Sequence, residues 1–248
     1  MTRRLLSLCL LLVLLPACSP PSVATPPPTP QAILITRSPA LLGWDPKLYS
    51  CAKDFPQLAV FVEEKVLGLP GSASPTLELR FGAPTEMAEN SFLLGWDDLI
   101  LLANTTFPLD EISLPQLQNL FTGQLSTFQD LDPQSPATVL QVWTYPAGDE
   151  TRQVFDRAVL SQLTAPPLAL IAPDPPAMLE ALAGGVGAVG YLPVSAFPLA
   201  DAAQKSQVKI LALKDKPAEF FRQPVIALLS AQPGALLNAY FQCLQNPQ

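Results

Sequence analysis

The chain has 248 residues, with 14 basic and 21 acidic side chains and no histidine. Its negative balance argues against nucleic acid and anionic headgroups as partners. The missing histidine removes the usual general base, the Ser-His and Cys-His nucleophile pairs and most zinc sites, so enzyme readings, a hydrolase among them, start at a disadvantage. No cofactor or metal motif stands out.

Arg3 and Arg4 precede an apolar run, Leu5 to Leu15, too short to cross a bilayer and of the right length for the core of an export signal. The run ends Leu15, Pro16, Ala17, Cys18, which resembles the lipobox of bacterial lipoproteins. That resemblance implies a signal peptide over 1–17, cleavage before Cys18, and an acylated Cys18 that holds the protein to the outer side of the cell membrane. The alternative is an ordinary secreted protein with a chance cysteine. Two or more acyl chains anchor stably where one is marginal. Residues 19–30, SPPSVATPPPTP, have the composition of an extended, semi-rigid stalk, so 18–31 reads as lipidated cysteine plus linker and 32–248 as the folded domain.

Cys9 leaves with the signal and Cys18 carries lipid, which leaves Cys51 and Cys243 as an even pair in an oxidising compartment. A disulfide between them is expected. Closing so long a loop would restrict the unfolded chain by roughly 5 kcal/mol in the entropy model. Two buried free thiols are the alternative, because sequence does not fix the geometry.

From residue 32 onward, strand-like and helix-like runs alternate. Ala32–Thr36 reads as a strand, Leu48, Cys51, Ala52 and Phe55 share one helix face, and Leu58–Val62 is the next strand. In TLELRF, Leu77, Leu79 and Phe81 point one way and Glu78 and Arg80 the other, and DLILLA at 98–103 reads as a buried strand. Ser113 and Gln116 form a capping box for a helix that Gly123 stops. Strands are expected at 138–143, 168–172, 187–192, 208–213 and 224–230. Helices are expected at 151–160, at about 176–183, and at the end, through Leu237, Tyr240, Phe241 and Leu244. This alternation predicts an α/β architecture with mostly parallel sheets.

Three stretches, in order, resemble the phosphate-type solute-binding proteins of ABC transporters. ISLPQLQNLFTGQLSTFQDL at 112–131 is similar to a family segment containing Ile-Phe-Thr-Gly-Lys and Asn-Trp-Asp-Leu, through Leu120, Phe121, Thr122, Gly123, Asp130 and Leu131. VWTYPAGDETRQVF is similar to the family's Arg, two residues, Gly-Ser-Gly-Thr, three residues, Phe. Gly187, Ala188, Val189, Gly190 and Tyr191 resemble its Gly-Ala-Ile-Gly-Tyr-Val. Between Val62 and Thr76 the family's loop and helix are replaced by a shorter, Pro-broken segment. The resemblance implies a periplasmic-binding-protein-like (type II) fold: two α/β lobes with mixed, mostly parallel sheets, joined by two crossing strands, with a ligand between them and hinge closure. Lobe one is about 32–102 plus 208–248 and lobe two about 103–207, which puts Cys51 and Cys243 in the same lobe.

The resemblance also implies ligand-binding positions: Thr36, Arg37 and Ser38 after the first strand, Arg80 near the end of a lobe-one strand, where a solvated strand-face charge is the alternative, and Tyr145, Asp149, Thr151 and Arg152 around the helix start at 150. Trp44, Trp96, Trp143 and Tyr191 could also line a cleft, though core or rim packing is the plainer reading. At the helix start the family's Arg falls on Tyr145, its Ser on Asp149 and its second Gly on Glu150. Two carboxylates ~4 Å from an anion would repel it by about 1 kcal/mol per charge pair in water and by several at an effective dielectric of 20. Self-capping is the preferred expectation, with Asp149 as N-cap and Glu150 as a first-turn acid. The alternative is that the acids face the cleft and select an amine-bearing ligand or an anion held through a metal ion.

The function implied is a membrane-anchored receptor that captures an oxyanion or other small solute and delivers it to an ABC permease. The alternative is a degenerate binding domain acting as an interaction or sensory module without phosphate binding.

Overall fold

The computed structural model describes residues 29–65, 76–83, 90–161, 163, 169–214 and 216–246. The signal, Cys18, most of the stalk and the core of the shortened 63–75 stretch lie outside the described residues. Among the described residues, no helix is long and apolar enough to cross a membrane.

The strands are β1 (Gln31–Arg37), β2 (Leu58–Glu64), β3 (Leu77–Phe81), β4 (Ser91–Asn104), β5 (Glu111–Ile112), β6 (Gln141–Thr144), β7 (Leu170–Ile171), β8 (Ala188–Pro193), β9 (Val208–Ile210), β10 (Ala212–Leu213) and β11 (Arg222–Leu229). The helices are α1 (Asp45–Lys53), α2 (Leu114–Phe121), α3 (Phe128–Leu131), α4 (Glu150–Phe155), α5 (Pro175–Gly184), α6 (Ala202–Gln207) and α7 (Ala235–Gln245). Eight strands run in the order β2-β1-β3-β11-β4-β8-β6-β7, with β9 beside β4.

β4 is the spine. Its first half pairs antiparallel with β11 and its second half antiparallel with β8 and β9, so one 14-residue strand belongs to both lobes. The outer pairs β1-β2, β1-β3, β6-β8 and β6-β7 are parallel. The sheet is therefore mixed, parallel at its two ends and antiparallel through its centre.

Several expected strands differ from their expected bounds, and for three of them the pairing gives the reason. The strand expected at 98–103 starts at Ser91, because pairing with β11 outweighs the low strand preference of Gly95, Asp97 and Asp98. The strand expected at 208–213 splits, since Val208–Ile210 pairs with β4 while Ala212–Leu213 pairs with β5. That expected at 138–143 shortens to Gln141–Thr144, preceded by an isolated bridge from Val139 to Thr127. The helix expected at 151–160 is α4 followed by a π-helical turn, Asp156–Leu160, which ends on Ser161 at φ 57°.

α1 and α7 pack against each other, α1 also against β2 and α7 against β4. Cys51 of α1 and Cys243 of α7 are disulfide-bonded with Cα atoms 5.9 Å apart. The Tyr240 hydroxyl donates to the Leu48 carbonyl oxygen at 3.0 Å and ties the same two helices. In lobe two, Tyr191 of β8 stacks on Phe155 at 3.8 Å between centroids, with Tyr145 and Phe121 against its edges.

At the junction, the 3-10 turn Pro39–Trp44 packs on the 3-10 turn Val194–Leu199. Buried Asp97 of β4 holds both turns: it accepts from Trp44 Nε1 at 3.1 Å and from the Ser195 backbone N–H at 3.2 Å. Gly43 lets the turns meet, since a Cβ there would lie 2.2 Å from the Ser195 carbonyl group.

Candidate functional site

The loop after β1, the end of β3 and the start of α4 converge where the two lobes face each other. β3 ends at Phe81, and Gly82, at φ 88°, turns the chain. A Cβ at Gly82 would come within 2.7 Å of Val154 Cγ2, so the glycine is also what allows α4 to approach. On the facing side, β6 leads through Pro146 and Gly148, at φ 92°, into Asp149.

The two acids at this helix start have separate tasks. Asp149 is the N-cap: its Oδ1 accepts from the backbone N–H groups of Thr151 at 2.8 Å and Arg152 at 3.2 Å. Glu150 instead crosses to lobe one. Its Oε2 accepts from the Ser38 hydroxyl at 2.6 Å and from the Phe81 backbone N–H at 2.9 Å, and its Oε1 lies 2.9 Å from Arg80 Nε. Asp149 thus caps the helix as expected, whereas Glu150, beyond being a first-turn acid, is held by the protein's own lobe-one groups.

The electrostatics follow from this geometry. Burial pushes the Glu150 carboxyl above its ordinary value and Asp149 adds to the rise, while Ser38, Phe81 and Arg80 oppose it. Asp149 is likewise pushed up by burial, against the pull of its helix N–H groups. Arg80 is shared, since its Nη1 also reaches Glu78 Oε1 at 2.7 Å, and Lys65 lies 2.7 Å from that same oxygen. Beside Glu150 is a cavity of about 180 Å³ lined by residues of both lobes, including Lys65, Arg80, Gln153 and Arg157. Arg157 reaches across it to the Ala83 carbonyl oxygen at 3.3 Å.

The other positions implied by the resemblance are placed elsewhere. Arg37 is buried and held by Asp45 at 2.6 Å and Glu64 at 2.8 Å, so its charge is spent within lobe one. Thr36 is buried at the end of β1, between β2 and β3. Tyr145 is fully buried among aromatic rings, and Thr151 is fully buried under the helix start. Arg152 donates to the Tyr145 carbonyl oxygen at 2.9 Å and pairs with Asp156. The site therefore gathers Ser38, Arg80 and Asp149 from the expected set, and its central group, Glu150, stands outside that set, its preferred expectation being a first-turn acid. The signal was present: a long carboxylate stands where the resembled family keeps a glycine. Trp44 and Tyr191 are core, whereas Trp96 is exposed. Among the described residues, no group of three His, Cys, Asp or Glu could hold a metal ion.

No family model matches the chain, and no curated protein matches it by sequence. Solved structures do match by fold. One is assigned as a phosphate ABC transporter substrate-binding protein from Clostridium perfringens with bound phosphate, at TM-score 0.68 and 12% identity, covering 86% of this chain and 93% of that one. Another is an ABC-type phosphate transport receptor from Vibrio cholerae, at TM-score 0.62 and 17% identity, with 86% and 93% covered. A third is the CcmR regulatory domain of Synechocystis in complex with 2-PG, at TM-score 0.59 and 16% identity, with 86% and 95% covered. At these identities the likeness shows fold, and the fold serves both transport receptors and regulatory domains. The chain has the two-lobed, periplasmic-binding-protein-like fold of the phosphate-type solute-binding proteins.

Proposed function

We propose that this protein is an extracytoplasmic domain, anchored through an acylated Cys18, that keeps a solute receptor's fold but holds its cleft shut with its own carboxylate, and acts as an interaction or sensory module without phosphate binding. One observation carries the reading. Glu150 of lobe two accepts the Ser38 hydroxyl and the Phe81 N–H of lobe one and pairs with Arg80, so these three lobe-one groups are already occupied. A phosphate ion entering there must first expel Glu150 and then sit beside Asp149, against Coulomb repulsion. No catalytic chemistry is assigned to the site.

A second reading, capture of a small solute for an ABC permease, is supported by the cavity beside Glu150, which presents Arg157 and Lys65. Thermal-shift measurements on the purified full chain separate the two. A ligand that binds only the folded state raises the melting temperature with concentration. The module reading predicts no response to phosphate, sulfate or molybdate beyond that to matched ionic strength. A rise that saturates with phosphate supports capture instead.

A further inference from the structure

Glu150 meets its donors as a free anion would. Two donors, one hydroxyl and one backbone N–H, converge on its Oε2 at 2.6 and 2.9 Å, and the Arg80 guanidinium forms an ion pair with its Oε1 at 2.9 Å, all from the opposite lobe. Local helix formation does not need this arrangement, because Asp149 alone caps α4. The contact spans 112 residues of sequence to Ser38 and 69 to Phe81. Its only evident role is to join the lobes.

We infer that Glu150 is a ligand tethered in cis: its carboxylate fills an anion seat built by Ser38, Arg80 and the Phe81 N–H, and removing it uncovers a seat that accepts a small free carboxylate. This rests on the reading that the wild-type cleft is self-occupied. A tethered group acts at a high effective concentration, so a free anion of equal quality does not displace it. The seat's chemistry also selects the class of ligand. Its occupant is planar and singly charged, with one oxygen on the two hydrogen-bond donors and the other beside the Arg80 guanidinium, and Asp149, buried alongside, opposes a second negative charge. Formate and acetate therefore fit better than a phosphate dianion. The neighbouring cavity, about 180 Å³, leaves room for water or a short substituent beyond the carboxylate.

The test is chemical rescue of the full chain carrying Glu150→Gly. In chloride its melting temperature falls below that of wild type. Adding sodium acetate or formate at matched ionic strength should raise it by about 3 °C at ten times the dissociation constant, with no such rise in wild type. Glu150→Gln, which still fills the seat, should not respond. Equal shifts in all three proteins, or a flat Glu150→Gly response, overturn the inference. If Glu150→Gly does not fold in chloride, its refolding yield in acetate against chloride is the readout, and equal yields overturn it. The two claims fail separately: a flat Glu150→Gly beside a phosphate-insensitive wild type removes the tethered-ligand inference alone, whereas wild type stabilised by phosphate removes the self-occupied cleft on which it rests.

Discussion

The Glu150 carboxylate accepts the Ser38 hydroxyl at 2.6 Å, joining the loop after the first strand of lobe one to the helix start of lobe two. The bond predicts an energetic coupling. Ser38→Ala should cost about 1 kcal/mol in urea unfolding of otherwise wild-type protein and close to nothing in a Glu150→Gly background. A full additive cost in both backgrounds would mean that Ser38 acts through something other than Glu150.

The Arg80 contact should be weaker than its 2.9 Å separation suggests. Arg80 is 38% exposed and divides its guanidinium between Glu150 and Glu78. A double-mutant cycle between Arg80→Met and Glu150→Gln should give a coupling of about 0.5 to 1 kcal/mol, falling in high salt.

Stability should depend on pH through Glu150. Its carboxyl sits above the ordinary value in the folded protein, so the folded state binds the proton more tightly than the unfolded chain. The associated stability is fully present below the unfolded-state value and is lost as pH rises through the folded-state one. Wild type should therefore gain melting temperature relative to Glu150→Gln as pH falls from neutral toward the ordinary carboxylate range. Thermal scans of both proteins across that range at constant ionic strength measure the difference, and a relative loss would contradict the burial argument.

The Cys51–Cys243 bond closes a span of 192 residues. Its replacement by a pair of alanines should lower stability by up to about 5 kcal/mol in the entropy model, a fall of roughly 10 °C in melting temperature. Dithiothreitol should reproduce the change in wild type and leave the double variant unaltered.

Two glycines near the site should respond to alanine for different reasons. At Gly43 the new methyl group would collide with the Ser195 backbone at 2.2 Å, and the expected loss is about 3 kcal/mol from forced separation of the two turns. At Gly148 nothing lies within 4 Å of the new methyl, so only the unfavourable φ of 92° counts, at about 1 kcal/mol. Urea unfolding of the two variants orders these costs.

Much of this architecture could be read from the chain because it is written locally. Alternation in Leu77–Phe81 and the Ser113–Gln116 capping box depend on neighbours a few residues apart, and both elements are present in the structure. The fate of charged groups was less legible. Arg37 looked like a ligand-facing cation, but Asp45 lies eight residues on and Glu64 comes from the adjacent strand, a convergence that only the fold produces. Glu150 carried the same difficulty in reverse. Its position marked it as a first-turn acid, and helix preference was a sufficient account until the lobe-one donors, more than sixty residues away in sequence, were placed around it. Residues 208–213 look like one strand in the sequence for the same reason, since each half takes a different distant partner.

The most direct measurement is a crystal structure of the protein grown in phosphate. The account predicts the Glu150 carboxylate on the Ser38 hydroxyl and the Phe81 N–H, with no ion between the lobes. A phosphate ion seated on those two donors, with Glu150 swung out to solvent, would contradict it.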